Sequence, residues 1–115
     1  MSPARQTFRD DARFRILRLL DENPEMSQRD LAAEVGISTG SVHYMVRSLV
    51  AQGLVKLGNF SAAQDKRRYA YILTPRGVAE KTALTARFLQ RKREEYEALK
   101  AEIAALEAAG DGVKE

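Results

Sequence analysis

The chain has 115 residues, 44% of them hydrophobic, with 19 Lys and Arg against 16 Asp and Glu and no cysteine. That length suits one small domain plus one extended element, and the missing cysteine excludes a disulfide framework, a thiolate metal site and a cysteine nucleophile. The formal net charge of +3 is small, but its excess is concentrated: residues 38–68 hold Arg47, Lys56, Lys66, Arg67 and Arg68 against Asp65 alone, as a phosphate-facing surface requires.

In chain order, residues 1–7 read as a disordered tail. Ala12, Ile16, Leu19 and Leu20 then follow helical spacing and predict a helix over 8–22, which Asn23-Pro24 stops because proline disfavours a helical residue before it. A second helix opens at Ser27, a good N-cap, with Asp30 in the first turn near the positive end of the dipole. It ends at Val35, and Gly36 suits the left-handed residue just past a helix. Ser38 caps a third helix reaching about Gln52, where Gly53 stops it. Leu54–Leu57 and Arg68–Leu73 are rich in strand formers and flank a small, polar stretch, which reads as a β-hairpin. Thr74-Pro75 is a helix start, a hydroxyl cap followed by proline at the first helical position, and from there to about Ala109 only the early Gly77 interrupts helical character.

Two helices joined by a tight turn and followed by a hairpin form the winged helix-turn-helix plan. Ala32 lies four places before Gly36, small enough for the second and third helices to cross closely, while Gly36 makes the turn. Ile37, Val42, Met45 and Leu49 are expected to bury the inner face of the third helix. Ser38, Thr39, Gly40, Ser41, His43, Tyr44 and Arg47 remain outward: short hydrogen-bonding groups at the start and a cation further on, as in a helix that reads base edges in the major groove. On the hairpin tip, Lys66, Arg67 and Arg68 are placed to meet phosphates or enter a minor groove, with Asp65 ordering the tip. Serine and threonine are also simply good early-helix residues, and a charged loop is often only solvated.

His43 has no metal-ligand partner at useful spacing and no nucleophile or orienting acid nearby in sequence. No phosphate-binding glycine loop is present. An enzyme is therefore not expected, nor any metal or cofactor. No apolar run reaches the roughly 20 residues of a membrane span, and Met1-Ser2-Pro3-Ala4-Arg5 leads into no signal-type apolar core, so a cytoplasmic protein without membrane contact is expected.

Asp65-Lys66-Arg67 through Leu73-Thr74-Pro75-Arg76-Gly77 resembles the wing signature of the MarR family of transcriptional regulators: an acid, any residue, arginine, then Leu-Thr-x-x-Gly closing the second wing strand. By that resemblance Arg67 is the wing-tip arginine for the minor groove and Asp65 its structural partner. Residues 15–20, 27–32, 36–38, 69–75 and 96–102 resemble a short subgroup, the MarR family EPS-associated regulators of bacterial polysaccharide loci, and the likeness covers roughly residues 8–107. Longer family members pair an extended N-terminal helix with two C-terminal helices, whereas only one follows the wing here. The resemblance therefore implies binding of double-stranded DNA and dimerisation, and assigns no small-molecule effector.

In the last helix Leu89, Tyr96 and Ile103 recur every seven residues with Leu99 and Leu106 between them, an a/d seam that Lys92 breaks once. Leu84 and Phe88 precede it, four apart, and pack either on the domain or on a partner; Phe8 and Phe14 are further candidates for the interface. Residues 75–109 span about 52 Å if helical, more than one small domain covers, so the seam calls for a second copy. A parallel pair brings Glu95 near Lys100 of the partner subunit but also Glu102 near Glu107 of the partner subunit, which leaves the orientation open.

The expected fold is mainly α with a small β-hairpin: a winged helix-turn-helix DNA-binding domain over 8–74, a long coiled-coil-like dimerisation helix over 75–109, and a tail over 110–115. The expected function is that of a homodimeric, sequence-specific transcriptional regulator on an inverted-repeat operator, with exopolysaccharide genes as targets by resemblance. The competing reading is a winged-helix module that binds proteins through the same faces, which calls for apolar residues on the outer face of the third helix. Tyr44 is the one large apolar side chain expected there.

Overall fold

The computed structural model describes residues 3–59 and 69–113, and within them the chain runs α1 (Pro3–Glu22), α2 (Gln28–Val35), α3 (Thr39–Ala51), β1 (Val55–Asn59), β2 (Tyr69–Leu73) and α4 (Pro75–Val113). The fold is mostly helical, with one two-stranded antiparallel sheet. Two compact units divide within α4: residues 1–85 form the first and 86–115 the second.

Side-chain and glycine caps set the helix limits in the first unit. The Ser27 hydroxyl accepts from Asp30 N at 3.0 Å, filling one of the donors that a helix start leaves without an acceptor. At the other end of α2, Gly36 takes φ 79°, and the N–H groups of Gly36 and Ile37 both reach Ala32 O, at 2.8 and 3.2 Å. Gly53 does the same after α3 at φ 75°, where Leu54 N donates back to Leu49 O at 3.0 Å. An L-residue in that left-handed region costs roughly 1–2 kcal/mol, which is why glycine stands at both turns.

α1 begins at Pro3, inside the stretch 1–7 expected to be a tail. Apolar periodicity starts only at Phe8, whereas proline tolerates the first turn of a helix and the residues after it are mostly good helix formers. Its buried positions are Ala12, Phe14, Ile16, Leu17 and Leu20, a broader arc than one stripe, because α1 packs on both α2 and β2. Phe14, expected as an interface candidate, lies in this core, whereas Phe8 is exposed.

Leu31, Ala32 and Val35 of α2 meet Val42, Val46 and Leu49 of α3 in the same core, with Leu54, Val55, Ala70 and Leu84 completing it. Each fully buried large aliphatic side chain there contributes about 1.5–3 kcal/mol of transfer free energy. Met45, assigned to the buried face, is only half-buried, as is Ile37; Val46 takes the central place. Positions 42, 46 and 49 lie on one stripe, and 45 sits on its flank.

The hairpin register pairs Val55 with Leu73 and Asn59 with Tyr69. Midway along β2, Tyr71 N turns away from β1 and donates to Pro24 O at 2.9 Å. A joint then leads into α4. Thr74 N donates to Leu54 O at 3.0 Å, while the Thr74 hydroxyl donates to Gly53 O at 2.6 Å and accepts from Gly77 N at 3.1 Å. A Cβ on Gly77 would stand 1.9 Å from Leu54 O, so the first turn of α4 lies directly against that backbone.

In the second unit α4 continues to Val113, past the Ala109 limit and into the stretch 110–115 expected to be a tail. Leu89, Tyr96, Leu99, Ile103 and Leu106 are 45–64% exposed, which leaves the whole seam on the surface of the single chain. Leu84, expected among the dimerisation residues, is instead a core residue of the first unit, 2% exposed. Phe88 is half-buried, with Lys92 Nζ 5.3 Å from its ring centroid. Among the described residues no helix is long and apolar enough to cross a membrane, and no cluster of three or more acids or histidines could hold a metal ion.

Candidate nucleic-acid interface

α3 has two opposite faces. Val42, Val46 and Leu49 are at most 1% exposed, whereas Thr39, Gly40, Ser41, His43, Tyr44 and Arg47 are all exposed, Tyr44 by 75%. Thr39, Gly40, His43, Tyr44 and Arg47 fall within about 140° of arc at 3.6 residues per turn, with Ser41 about 60° beyond it. Every residue expected on the outward face is therefore outward.

Ser38 has a structural task as well. Its extended backbone and its hydroxyl cap the helix, accepting from Ser41 N at 3.0 Å and donating to Ser41 Oγ at 2.9 Å. The α3 ladder starts at Val42 N to Ser38 O, 3.0 Å, so the amides of Thr39 and Gly40 lie before its first rung. Helix amides in this position carry the positive end of the dipole and suit an anion. Around Gly40 a Cβ would meet only Ser38 Oγ at 4.0 Å, so the backbone there is open to close approach by a large ligand.

An open cleft of about 680 Å³ continues this surface onto α1; Arg9, Arg13, Ser41, Tyr44, Ser48 and Gln52 are among its lining residues. Arg13 is held in place by Gln52 Oε1 and by Glu80 at 3.4 Å. On the other flank of α3, His43 Nδ1 lies 3.2 Å from Gln28 Oε1, and Gln28 Nε2 donates to Tyr71 Oη at 3.3 Å. Neither Gln28 nor Tyr71 was among the residues expected at the site. Both contacts join residues distant in sequence, and no spacing rule reveals them.

β1 and β2 carry the chain to and from residues 60–68. Lys66, Arg67 and Arg68, with Asp65, lie outside the described residues. Of the cations expected in the central basic stretch, Arg47 and Lys56 are described, and both are exposed.

The surface thus has a capped helix N-terminus with two amides ahead of the first rung, short polar side chains and an arginine one turn beyond them. Residues 9–56 match the family described as winged helix-turn-helix DNA-binding. Solved structures share the fold. The PcaV transcriptional regulator from Streptomyces coelicolor is 22% identical, with a TM-score of 0.62 over 88% of this chain and 79% of that one. A mutant of MepR from S. aureus, bound to an oligodeoxyribonucleotide, is 22% identical, with a TM-score of 0.58 over 87% of this chain and 76% of that one. A MarR/EmrR family transcriptional regulator from Acinetobacter sp. ADP1 is 22% identical, with a TM-score of 0.63 over 74% of this chain and 58% of that one. No curated protein sequence matches the chain. The chain therefore has a winged helix-turn-helix domain, built on the fold of MarR-type transcriptional regulators.

Proposed function

We propose that the protein is a MarR-type transcriptional regulator that binds double-stranded DNA in a sequence-specific manner as a homodimer. The outward face of α3 carries this reading: a capped, open helix start with Thr39, Gly40, Ser41, His43, Tyr44 and Arg47 on the surface, opposite a fully packed inner face. Those groups suit base edges and phosphates in a major groove. Lys66, Arg67 and Arg68 are assigned to the wing contact on the strength of the sequence resemblance. Tyr44 and Val50 are the exposed large apolar side chains of α3, a small share of an otherwise polar outward arc, which speaks against a protein-binding module.

Pairing through the second unit is supported by the exposed seam Leu89, Tyr96, Leu99, Ile103 and Leu106, since a stripe of that length left in water favours a second copy. Phe88 borders that seam. Control of exopolysaccharide genes is supported by the resemblance of residues 15–20 and 96–102 to the EPS-associated subgroup, and a cytoplasmic location goes with access to the chromosome.

Selection from a random duplex library with the full-length protein tests the reading. The expected product is an inverted repeat whose half-sites lie about one helical turn, roughly 34–36 Å, apart. With three or four phosphate contacts per protomer, log K falls against log salt with a slope of about −5 to −7. A selection that returns no motif, or a motif bound equally well after alanine replaces Thr39, Ser41 and Arg47, refutes the assignment.

A further inference from the structure

We propose that Gln28 is a positioning residue that holds His43 in the Nδ1–H tautomer and so presents its Nε2 as a hydrogen-bond acceptor on the DNA-facing side of α3. The inference rests on the DNA-binding reading of that face and specifies its chemistry. Gln28 is the first residue of α2, half-buried, and its side chain bridges two elements. Its Nε2 donates to Tyr71 Oη on β2 at 3.3 Å, and its Oε1 faces His43 Nδ1 at 3.2 Å on α3.

A carboxamide oxygen has lone pairs and no hydrogen, so a hydrogen bond across that gap requires the proton on Nδ1. A neutral imidazole carries one N–H, and its Nε2 is then a bare lone pair. Imidazole in water favours the other tautomer, with the proton on Nε2, so the contact selects against the intrinsic preference. His43 itself is exposed, and its Nε2 makes no hydrogen bond among the described residues.

An acceptor at that place discriminates. Phosphate oxygens are acceptors too, so neutral His43 in this form gains no hydrogen bond from the backbone of a duplex. In the major groove the donors are the N6 amino group of adenine and the N4 amino group of cytosine, whereas guanine offers N7 and O6 and thymine offers O4, all acceptors. His43 therefore favours adenine or cytosine on the strand it faces. The hydrogen bond from Gln28 Nε2 to Tyr71 Oη ties this preference to the wing strand.

His43 is the single histidine of the chain, so its ring nitrogens give unambiguous long-range ¹H–¹⁵N correlations in the full-length protein without DNA. For the neutral ring the expected spectrum has a protonated, pyrrole-like Nδ1 and a pyridine-like Nε2. Gln28→Leu returns the ring to a majority of Nε2–H, and Gln28→Glu, which keeps an oxygen at the same reach, restores Nδ1–H. A wild-type spectrum with the proton mainly on Nε2 overturns the inference, whatever the variants do. On selected duplexes, Gln28→Leu relaxes preference at one base pair per half-site by about tenfold or less while affinity elsewhere holds; a uniform loss across all positions also overturns it. Failure to bind any duplex, with the Nδ1–H spectrum intact, would count against the DNA-binding reading and leave the tautomer assignment standing.

Discussion

Gly77→Ala should destabilise the first unit although it places a better helix former inside a helix. The added Cβ would stand 1.9 Å from Leu54 O and 2.9 Å from Leu54 C, where ordinary contact begins at 3.4 Å. Both obstacles are backbone, so no side chain can swing aside, and the first turn of α4 must move off Leu54 by about 1.5 Å along that line (3.4 less 1.9). Overpacking of this kind costs about 1–3 kcal/mol. The same shift pulls apart the bond from Thr74 N to Leu54 O, 3.0 Å long, for about another 1 kcal/mol. Against this, alanine gains about 1 kcal/mol over glycine in a helix interior. The balance is a loss of about 2 kcal/mol, or roughly 8–16 °C in melting midpoint at 4–8 °C per kcal/mol for a small domain. Thermal unfolding by circular dichroism, at one fixed protein concentration, reads the change. Gly110→Ala in the same helix is the control: a Cβ there meets nothing within 4 Å, so helicity rises or holds. A Gly77→Ala protein melting at or above the parent temperature would show that the joint at Leu54 is not the constraint described here.

Ser38→Ala removes the cap on Ser41 N and lowers stability by about 1 kcal/mol, read as a shift in urea midpoint with an unchanged slope; an unaltered midpoint means the cap contributes nothing. Ile103→Glu introduces a charge into the exposed seam of α4 and converts the proposed dimer to monomer in sedimentation, with the first unit still folded; a mass equal to the parent's rules the seam out as the interface. Arg67→Ala weakens duplex binding at least several-fold without changing the melting midpoint, measured by fluorescence anisotropy at one salt concentration, and equal affinity removes the wing from the interface.

Local chemistry made much of this architecture readable before any coordinates. Ser27, Gly36, Ser38 and Gly53 mark the ends of α2 and α3 because capping is a matter between neighbours along the chain, and Thr74-Pro75 marks the start of α4 for the same reason. The outward set on α3 was equally legible, since a 3.6-residue period separates it from Val42 and Leu49. Met45 and Val46 were harder to separate, because both are apolar and one step turns the helix by about 100°; only the packing of α2 decides between them. For Leu84 and Phe14, apolar character reports burial and not the partner, so sequence alone leaves open whether the domain or a second copy covers them. The start of α1 at Pro3 is not legible in the sequence, because that first turn carries little apolar signal. Distant in sequence, the link from Tyr71 through Gln28 to His43 exists only once three elements have met.

The amide of Tyr71 spent on the carbonyl of Pro24 has a consequence for how molecules of this kind meet. A two-stranded sheet exposes an outer border of unpaired amides and carbonyls on which a foreign strand can grow into an aggregate. Here the border of β2 is occupied at its midpoint by a turn whose proline offers a carbonyl but no N–H, so a ladder started there cannot be extended through it. Crowded copies are thereby denied edge-to-edge strand addition at that margin of the sheet.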